Sequence, residues 1–134
     1  MDFTSTTAFT LSEIDVAIGL VSGTNPGGVT LYLETSTIPA GGGVPTNTVL
    51  DSWVLGSLPA LFSCCAIESV FGTDSLAANT QYWIVAIAAS DTWAGWNPNT
   101  IGEIGNLAQS PDNQSTWNLF AEENQGTSAG LSVL

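Results

Sequence analysis

The sequence predicts an all-β protein: an antiparallel β-sandwich or jelly roll of about seven or eight short strands in a single domain, residues 1–134. Three observations support this prediction. Apolar residues alternate with polar or small ones in several short runs, turn-forming glycine and proline separate the runs, and no stretch shows the apolar repeat of roughly 3.6 residues that marks an amphipathic helix. A chain of this length can also bury one hydrophobic core.

The clearest strand signals lie in the N-terminal third. A short strand is predicted over residues 9–11, and residues 13–20 alternate as expected for a strand with one buried face. A turn follows at residues 22–28. Residues 29–34 alternate again, so we expect these two longer strands to pair or to lie close together in one sheet. Glycine and proline argue against regular structure over residues 37–45.

Further strands are predicted along the rest of the chain. They lie at residues 49–54, 66–70, 81–88, 117–120 and 130–134. The segment 81–88 is apolar on both alternating faces, which indicates a central strand. Trp83, in the middle of this segment, is therefore predicted to belong to the core.

The charge composition excludes several classes of partner. The chain contains no Lys, Arg or His and 12 Asp and Glu, which gives a formal net charge of -12. Nucleic acids and anionic membrane surfaces bind through cationic side chains, so we expect no nucleic acid and no such membrane surface as partners. No apolar run approaches the ~20 residues of a membrane helix, so we expect no membrane insertion.

The same composition argues against catalysis. His and Lys, the usual general bases and amine nucleophiles, are missing, and no cationic side chain can stabilise an oxyanion or a phosphate. A carboxylate pair acting on a glycosidic bond is chemically allowed, but no spacing singles out such a pair. We expect no enzyme activity and no cofactor, with calcium as the one metal that the side chains could accept.

A cluster of aromatic and polar residues follows the central strand. Trp93 and Trp96 stand among Asp91, Asn97 and Asn99, and this composition predicts a loop. Exposed tryptophan rings stack on sugars, and the polar neighbours can bond sugar hydroxyls, so these five residues form a candidate carbohydrate-binding site. The alternative is that one or both rings fold back over the end of the sandwich.

Carboxylates could hold a calcium ion, because calcium accepts oxygen ligands. The candidate ligands are Asp91, Glu103 and Asp112, which lie near several asparagines. The spacing of an EF-hand loop is absent. The alternative is an acidic surface that is only solvated and that attracts divalent ions loosely.

The two cysteines, Cys64 and Cys65, are adjacent. Neighbouring Cα atoms are about 3.8 Å apart, which is shorter than the usual disulfide separation, so a bond between them needs a strained ring. Two unlinked thiols, this vicinal disulfide and an intersubunit disulfide all remain open. A zinc site has too few further ligands.

Several stretches together resemble a known type of domain. They are residues 11–17, 29–33, 62–65, 79–85 and 91–97, with the most specific motifs in Gln81-Tyr82-Trp83 and in Trp93-x-x-Trp96. These residues resemble the choice-of-anchor R type of bacterial secreted domain, which often precedes a PEP-CTERM-like sorting signal. The resemblance spans about Phe9 to Val133. It implies a β-sandwich that is extracellular or on the bacterial cell surface, and it implies no catalytic residues.

The composition and the resemblance together predict a structural role. The chain has 14 glycines, 44% hydrophobic residues and a mean hydropathy of +0.28, which leaves much neutral surface for contact with neighbours. We expect a non-catalytic, self-associating subunit of a fibre, matrix or envelope, with copies of itself or neighbouring envelope or matrix proteins as partners. The alternative function is a carbohydrate-binding module with a polysaccharide as its partner.

Overall fold

The computed structural model describes residues 1–61, 63, 67–97 and 104–124, and the regular structure in this part of the chain consists of strands. The strands are β1 (Asp2–Ser5), β2 (Phe9–Thr10), β3 (Glu13–Val16), β4 (Ile18–Gly23), β5 (Val29–Ser36), β6 (Pro45–Val54), β7 (Glu68–Phe71), β8 (Ser75–Leu76), β9 (Thr80–Ala88), β10 (Thr92–Trp96), β11 (Ile104–Gln109) and β12 (Asn118–Asn124). The all-β prediction is confirmed, with more strands than the sequence indicated.

The strands form one larger sheet and several antiparallel pairs. The four-stranded sheet has the order β1-β9-β5-β6, and the pairs are β3 with β7, β4 with β10, β2 with β8, and β11 with β12. These sheets are not closed, and every named pairing is antiparallel. This arrangement is consistent with the predicted sandwich.

The main core lies between the inner face of the four-stranded sheet and the paired strands β2, β3, β4, β7 and β8. Leu31 and Leu33 of β5 are fully buried, and they belong to the same apolar cluster as Ile14 and Val16 of β3 and Ile18 of β4. Burial of side chains of this size contributes about 1.5–3 kcal/mol each. The predicted burial of Ile14, Val16 and Ile18 is therefore confirmed, but the single strand predicted over residues 13–20 is divided at Ala17 into β3 and β4, and Leu20 is only half-buried.

One predicted pairing is wrong. The strands over residues 13–20 and 29–34 do not share a sheet: β4 pairs with β10, whereas β5 pairs with β6 and β9. Alternation shows which face of a strand is buried, but it does not show which strand lies beside it. The two strands face the same core from opposite layers, which produces the same alternation as pairing side by side.

The strand predictions at residues 9–11, 49–54, 66–70, 81–88 and 117–120 correspond to β2, β6, β7, β9 and β12. The four strands β1, β8, β10 and β11 were not predicted. The predicted strand at residues 130–134 lies outside the described residues. Within the described part of the chain, no helix is long and apolar enough to span a membrane.

Candidate functional site

Strand β9 is covered on both faces, and its outer face carries the candidate site. Tyr82 and Ile84 point into the main core, whereas Trp83 between them points the other way and is 0% exposed. The hairpin β11–β12 covers this outer face. Trp83 is thus buried, as its sequence context predicted, but it lies under the hairpin, on the side of the sheet away from the main core.

A cleft of about 440 Å³ lies between the outer face of β9 and the hairpin. Its floor is apolar and includes Pro45, Trp83, Val85 and Ile87. Its other wall is mixed: the hairpin and its loop contribute the polar residues Gln109, Ser110, Asn113 and Gln114 together with Leu107, Ala108 and Trp117. Trp96 of β10 also lines the cleft, and none of the described residues that line it is an Asp or Glu. Small-molecule sites have volumes of about 300–1,000 Å³, so the cleft is of suitable size.

Three polar atoms in the walls of this cleft have no hydrogen-bond partner. They are the indole Nε1 of Trp83, the indole Nε1 of Trp117 and the side-chain oxygen Oε1 of Gln114. Buried polar groups nearly always find a partner, and a group without one costs about 1–3 kcal/mol. Two donors and one acceptor in a single cleft therefore indicate a place where a polar molecule, water or ligand, completes the hydrogen bonding.

Hydrogen bonds to β1 and β6, the two edge strands of the four-stranded sheet, hold the hairpin in position. The carboxylate of Asp2 in β1 accepts bonds from the backbone N–H and the side-chain Nδ2 of Asn106, at 2.9 and 2.7 Å. Asn47 of β6 donates from its Nδ2 to the backbone oxygen of Gln114 at 3.2 Å. The cleft is thus framed by β1 at one end of the hairpin and by β6 at the other.

A buried amide organises the polar contacts beside the cleft. Gln81 of β9 is almost fully buried, and its Oε1 accepts bonds from the Ser36 hydroxyl at 2.6 Å and the Gly43 backbone N–H at 3.1 Å. Its Nε2 donates to Oδ2 of Asp2 at 2.5 Å. This network connects the loop after β5 with β9, β1 and, through Asp2, the hairpin.

A buried carboxyl group lies next to Trp83 in the sheet. Glu34 of β5 is the register partner of Trp83 and is 0% exposed. Its Oε2 accepts a bond from the Asn47 backbone N–H at 2.9 Å, whereas its Oε1 has no partner. Burial raises the pKa of Glu34, and the Asn47 hydrogen bond offsets this only in part. Glu34 does not line the cleft, so we assign it no chemical role there.

The structure separates the two tryptophans of the predicted sugar site. Both lie on strand β10, so the prediction of a loop is wrong. This strand pairs with β4 through an irregular register, with a shift between Trp93 and Ala94. Trp93 is 67% exposed, whereas Trp96 packs against the core and lines the cleft. The two rings do not form one platform.

The polar residues of that predicted site serve local structure. Oδ2 of Asp91 accepts a bond from the Thr24 hydroxyl at 3.2 Å, and the backbone N–H of Asn97 donates to Ala17 at 2.8 Å. Asn99 lies outside the described residues. The four described residues of the predicted set therefore differ in exposure and have separate contacts.

Asp91 and Asp112, the described members of the predicted calcium site, each have hydrogen-bond partners within the chain. Asp112 is exposed, and it accepts bonds from the N–H and hydroxyl of Thr116 at 2.7 and 2.8 Å, which lower its pKa. No group of three or more acidic side chains, Cys or His suited to a metal ion occurs among the residues that the structure describes. Glu103, Cys64 and Cys65 lie outside them, so the predictions for these residues stay predictions.

A second surface feature is the outer edge of β6. This strand is the last in its sheet, and in the described part of the chain no strand pairs with its far side. The Leu55 N–H donates to Val29 at 2.9 Å across the β5 side. By the alternation of an antiparallel ladder, the N–H groups of Ser52 and Val54 then point towards the open edge.

Exposed apolar side chains follow the same edge. Val49, Leu50 and Val54 are all exposed, and Val54 is 75% exposed. Phe71, which is 67% exposed, lies nearby, because its backbone oxygen accepts a bond from the indole of Trp53 at 2.7 Å. We refer to Val49–Val54 together with Phe71 as the β6 edge surface.

Comparison with known proteins adds no relative: no family model, curated protein or solved structure matches this chain. The fold and the two sites above define an all-β domain with an interior cleft and an open apolar edge.

Proposed function

We propose that this domain is a non-catalytic structural module that associates with copies of itself through the β6 edge surface, as a subunit of an extracellular or cell-surface assembly. The observation that carries the proposal is the long edge strand with exposed apolar side chains. Edge strands of monomeric proteins usually carry lysine, proline or a covering element, because an open edge pairs with other strands. The β6 edge begins with Pro45 but has no lysine, since the chain contains none.

A second copy of the same chain is the partner that fits this edge. Two antiparallel β6 strands related by a twofold axis present the same surface to each other, so each is the complement of the other. The edge carries one acidic residue, Asp51, between Val49 and Val54. Charged partners have few groups to bind on this strip, because Asp51 is its single charged residue.

Asp51 opposes this association under neutral conditions. Its Oδ1 accepts a bond from the Ser52 N–H at 2.7 Å and so occupies a donor that points towards the open edge. Its carboxylate also adds negative charge to a chain at -12. Acid, salt or divalent cations weaken this charge repulsion, and the proposal therefore includes association that depends on solution conditions.

A neighbouring acid reinforces the pH dependence. Partial burial and the adjacent Asp51 carboxyl raise the pKa of Asp74. Asp74 consequently takes up a proton at a higher pH than an ordinary aspartate and removes one negative charge from beside the β6 edge surface. Self-association is expected to strengthen as the pH falls below neutral.

Sedimentation velocity over a concentration series tests the proposal with matched variants. Val54→Lys places a charge on the edge, whereas Ile38→Lys makes the same change at an exposed apolar residue in the loop between β5 and β6. Burying an exposed Val contributes about 1.5 kcal/mol or more, so Val54→Lys should weaken association at least about tenfold. Ile38→Lys should leave it unchanged.

The substitution Asp51→Ala works in the opposite direction. It frees the Ser52 N–H and removes the charge, so association should strengthen, and Asp51→Asn, which keeps the side-chain oxygen, should have a smaller effect. A wild-type protein that stays monomeric at all concentrations, pH values and salt concentrations would falsify the proposal. Equal weakening by Val54→Lys and Ile38→Lys would also refute the assignment to β6.

A further inference from the structure

We propose that the cleft under the β11–β12 hairpin binds a neutral polyhydroxylated ring, such as one residue of a saccharide. This site is separate from the β6 edge surface, and of the predicted pair Trp93 and Trp96 it includes only Trp96. Trp83 carries the inference, because a fully buried indole whose N–H lacks a partner lines a cleft of small-molecule size. The ligand class follows from the chemistry of the two walls.

The walls of the cleft differ in polarity in the way that a sugar ring requires. The floor of Pro45, Trp83, Val85 and Ile87 offers an apolar surface to the C–H face of a ring. The hairpin wall offers amide groups from Gln109 and Gln114 to its hydroxyl groups. A sugar hydroxyl both donates and accepts hydrogen bonds, so one ring can serve the two unpartnered indole donors and the unpartnered Gln114 oxygen.

Other ligand classes fit less well. A hydrocarbon ligand leaves all three polar atoms unpartnered, at a cost of about 1–3 kcal/mol each. An anionic ligand meets a chain at -12 that has no cationic side chain, and burial lowers the pKa of the amino group of Met1, a lining residue, to about 5. A cationic ligand finds no Asp or Glu among the described residues that line the cleft. A neutral molecule with several hydroxyl groups is the class that remains.

Entry of the ligand requires a small movement of the hairpin. The unpartnered atoms lie within the cleft walls, covered from solvent, so the ligand reaches them when the loop between β11 and β12 shifts outward. The bond from Asn47 to Gln114 is exposed and single, and it is the contact that this movement breaks. The paired bonds between Asp2 and Asn106 keep the other end of the hairpin attached.

Saturation-transfer NMR with defined probes tests the site. The probes are the methyl glycosides of glucose, galactose, mannose, xylose and N-acetylglucosamine, with cyclohexanol as an apolar ring and glucuronic acid as an anionic sugar. Concentrations up to about 10 mM detect dissociation constants near 1 mM. At least one neutral glycoside should bind, and cyclohexanol and glucuronic acid should each bind at least about tenfold more weakly.

Matched tryptophan variants assign the binding to this cleft. Trp83→Phe and Trp117→Phe each keep an aromatic ring but remove an N–H donor, and each should weaken the bound glycoside about tenfold, whereas Trp93→Phe should not. Trp117 is half-buried, so its variant keeps the test valid if Trp83→Phe does not fold. Binding of none of the neutral glycosides, equal binding of cyclohexanol, or loss of binding in Trp93→Phe alone would overturn the proposal. Sedimentation results for Val54→Lys are independent of these outcomes.

Discussion

Replacement of Glu34 by Gln should stabilise the protein at neutral pH. Glu34 is completely buried, one of its carboxylate oxygens has no partner, and the chain has no Lys, Arg or His to balance its charge. Gln has nearly the same shape and carries no charge. Its side-chain oxygen can still accept the bond from the Asn47 N–H that Oε2 of Glu34 accepts at 2.9 Å.

The magnitude and the pH range follow from the same environment. An uncompensated buried polar group costs about 1–3 kcal/mol, and this is the expected gain in the free energy of unfolding at neutral pH. Because burial raises the folded-state pKa of Glu34 above its ordinary value of 4.5, protonated Glu34 stabilises the wild type below that value. This contribution is lost as the pH rises through the folded-state pKa. The gain from Glu34→Gln should therefore be small in acid and grow towards neutral pH.

Urea unfolding of both proteins between about pH 4.5 and pH 8 measures this difference. Glu13→Gln is a matched control, because Glu13 of β3 is only half-buried and its substitution should change the stability little at any pH. A Glu34→Gln effect that is independent of pH, or a variant that is less stable than the wild type at neutral pH, would show that the buried Glu34 charge does not destabilise the fold.

Three further predictions concern the fold and its association. Gly19→Ala should destabilise the domain by about 1–3 kcal/mol in thermal unfolding, because the added Cβ would lie 2.5 Å from the Cα of Leu61. Gly56→Ala is the control and should be nearly neutral, because the atom nearest to its added Cβ is 3.9 Å away. Gln81→Leu should cost about 2–4 kcal/mol in urea unfolding, since it removes one hydrogen bond from each of Ser36, Gly43 and Asp2, and a smaller loss would show that other contacts replace these bonds. The weight-average mass in light scattering should rise as the pH falls from neutral to about 4.5 and as salt is added. A mass that stays constant or falls would contradict the role of acidic charge in limiting association.

Alternation in the sequence is sufficient to predict the all-β class and the buried faces of the longest strands. Ile14, Val16 and Ile18 are buried as their spacing indicates, and Trp83 is buried as its β-rich context indicates. Pairing partners are harder to predict, because many strands share the same period of two residues. The sequence therefore predicts which side chains are inside but not which layer each strand joins.

Short strands escape detection because two to six residues hardly define a period. β10 was predicted as a loop since Asp91, Gly95 and Asn97 are turn-forming residues, but pairing with β4 outweighs this local preference. The same misreading placed Trp93 and Trp96 on one surface. A strand directs neighbouring side chains to opposite faces, and the irregular register leaves one ring exposed and the other inside.

The cleft could not be predicted from the sequence. Trp83 and Trp117 are 34 positions apart in the printed chain and meet only because the hairpin folds over β9. The one available signal was the largely apolar character of both faces of residues 81–88. A strand that is apolar on both faces needs a covering element on each face, so the sequence implies a second covering element without identifying it.

Amide hydrogen exchange as a function of protein concentration tests the self-association through β6 most directly. If copies pair along this strand, the N–H groups of Ser52 and Val54 should become protected as the concentration rises, while those of β10, which pairs with β4, should keep their exchange rates. Association without any added protection in β6, with protection appearing in another strand instead, would contradict the account.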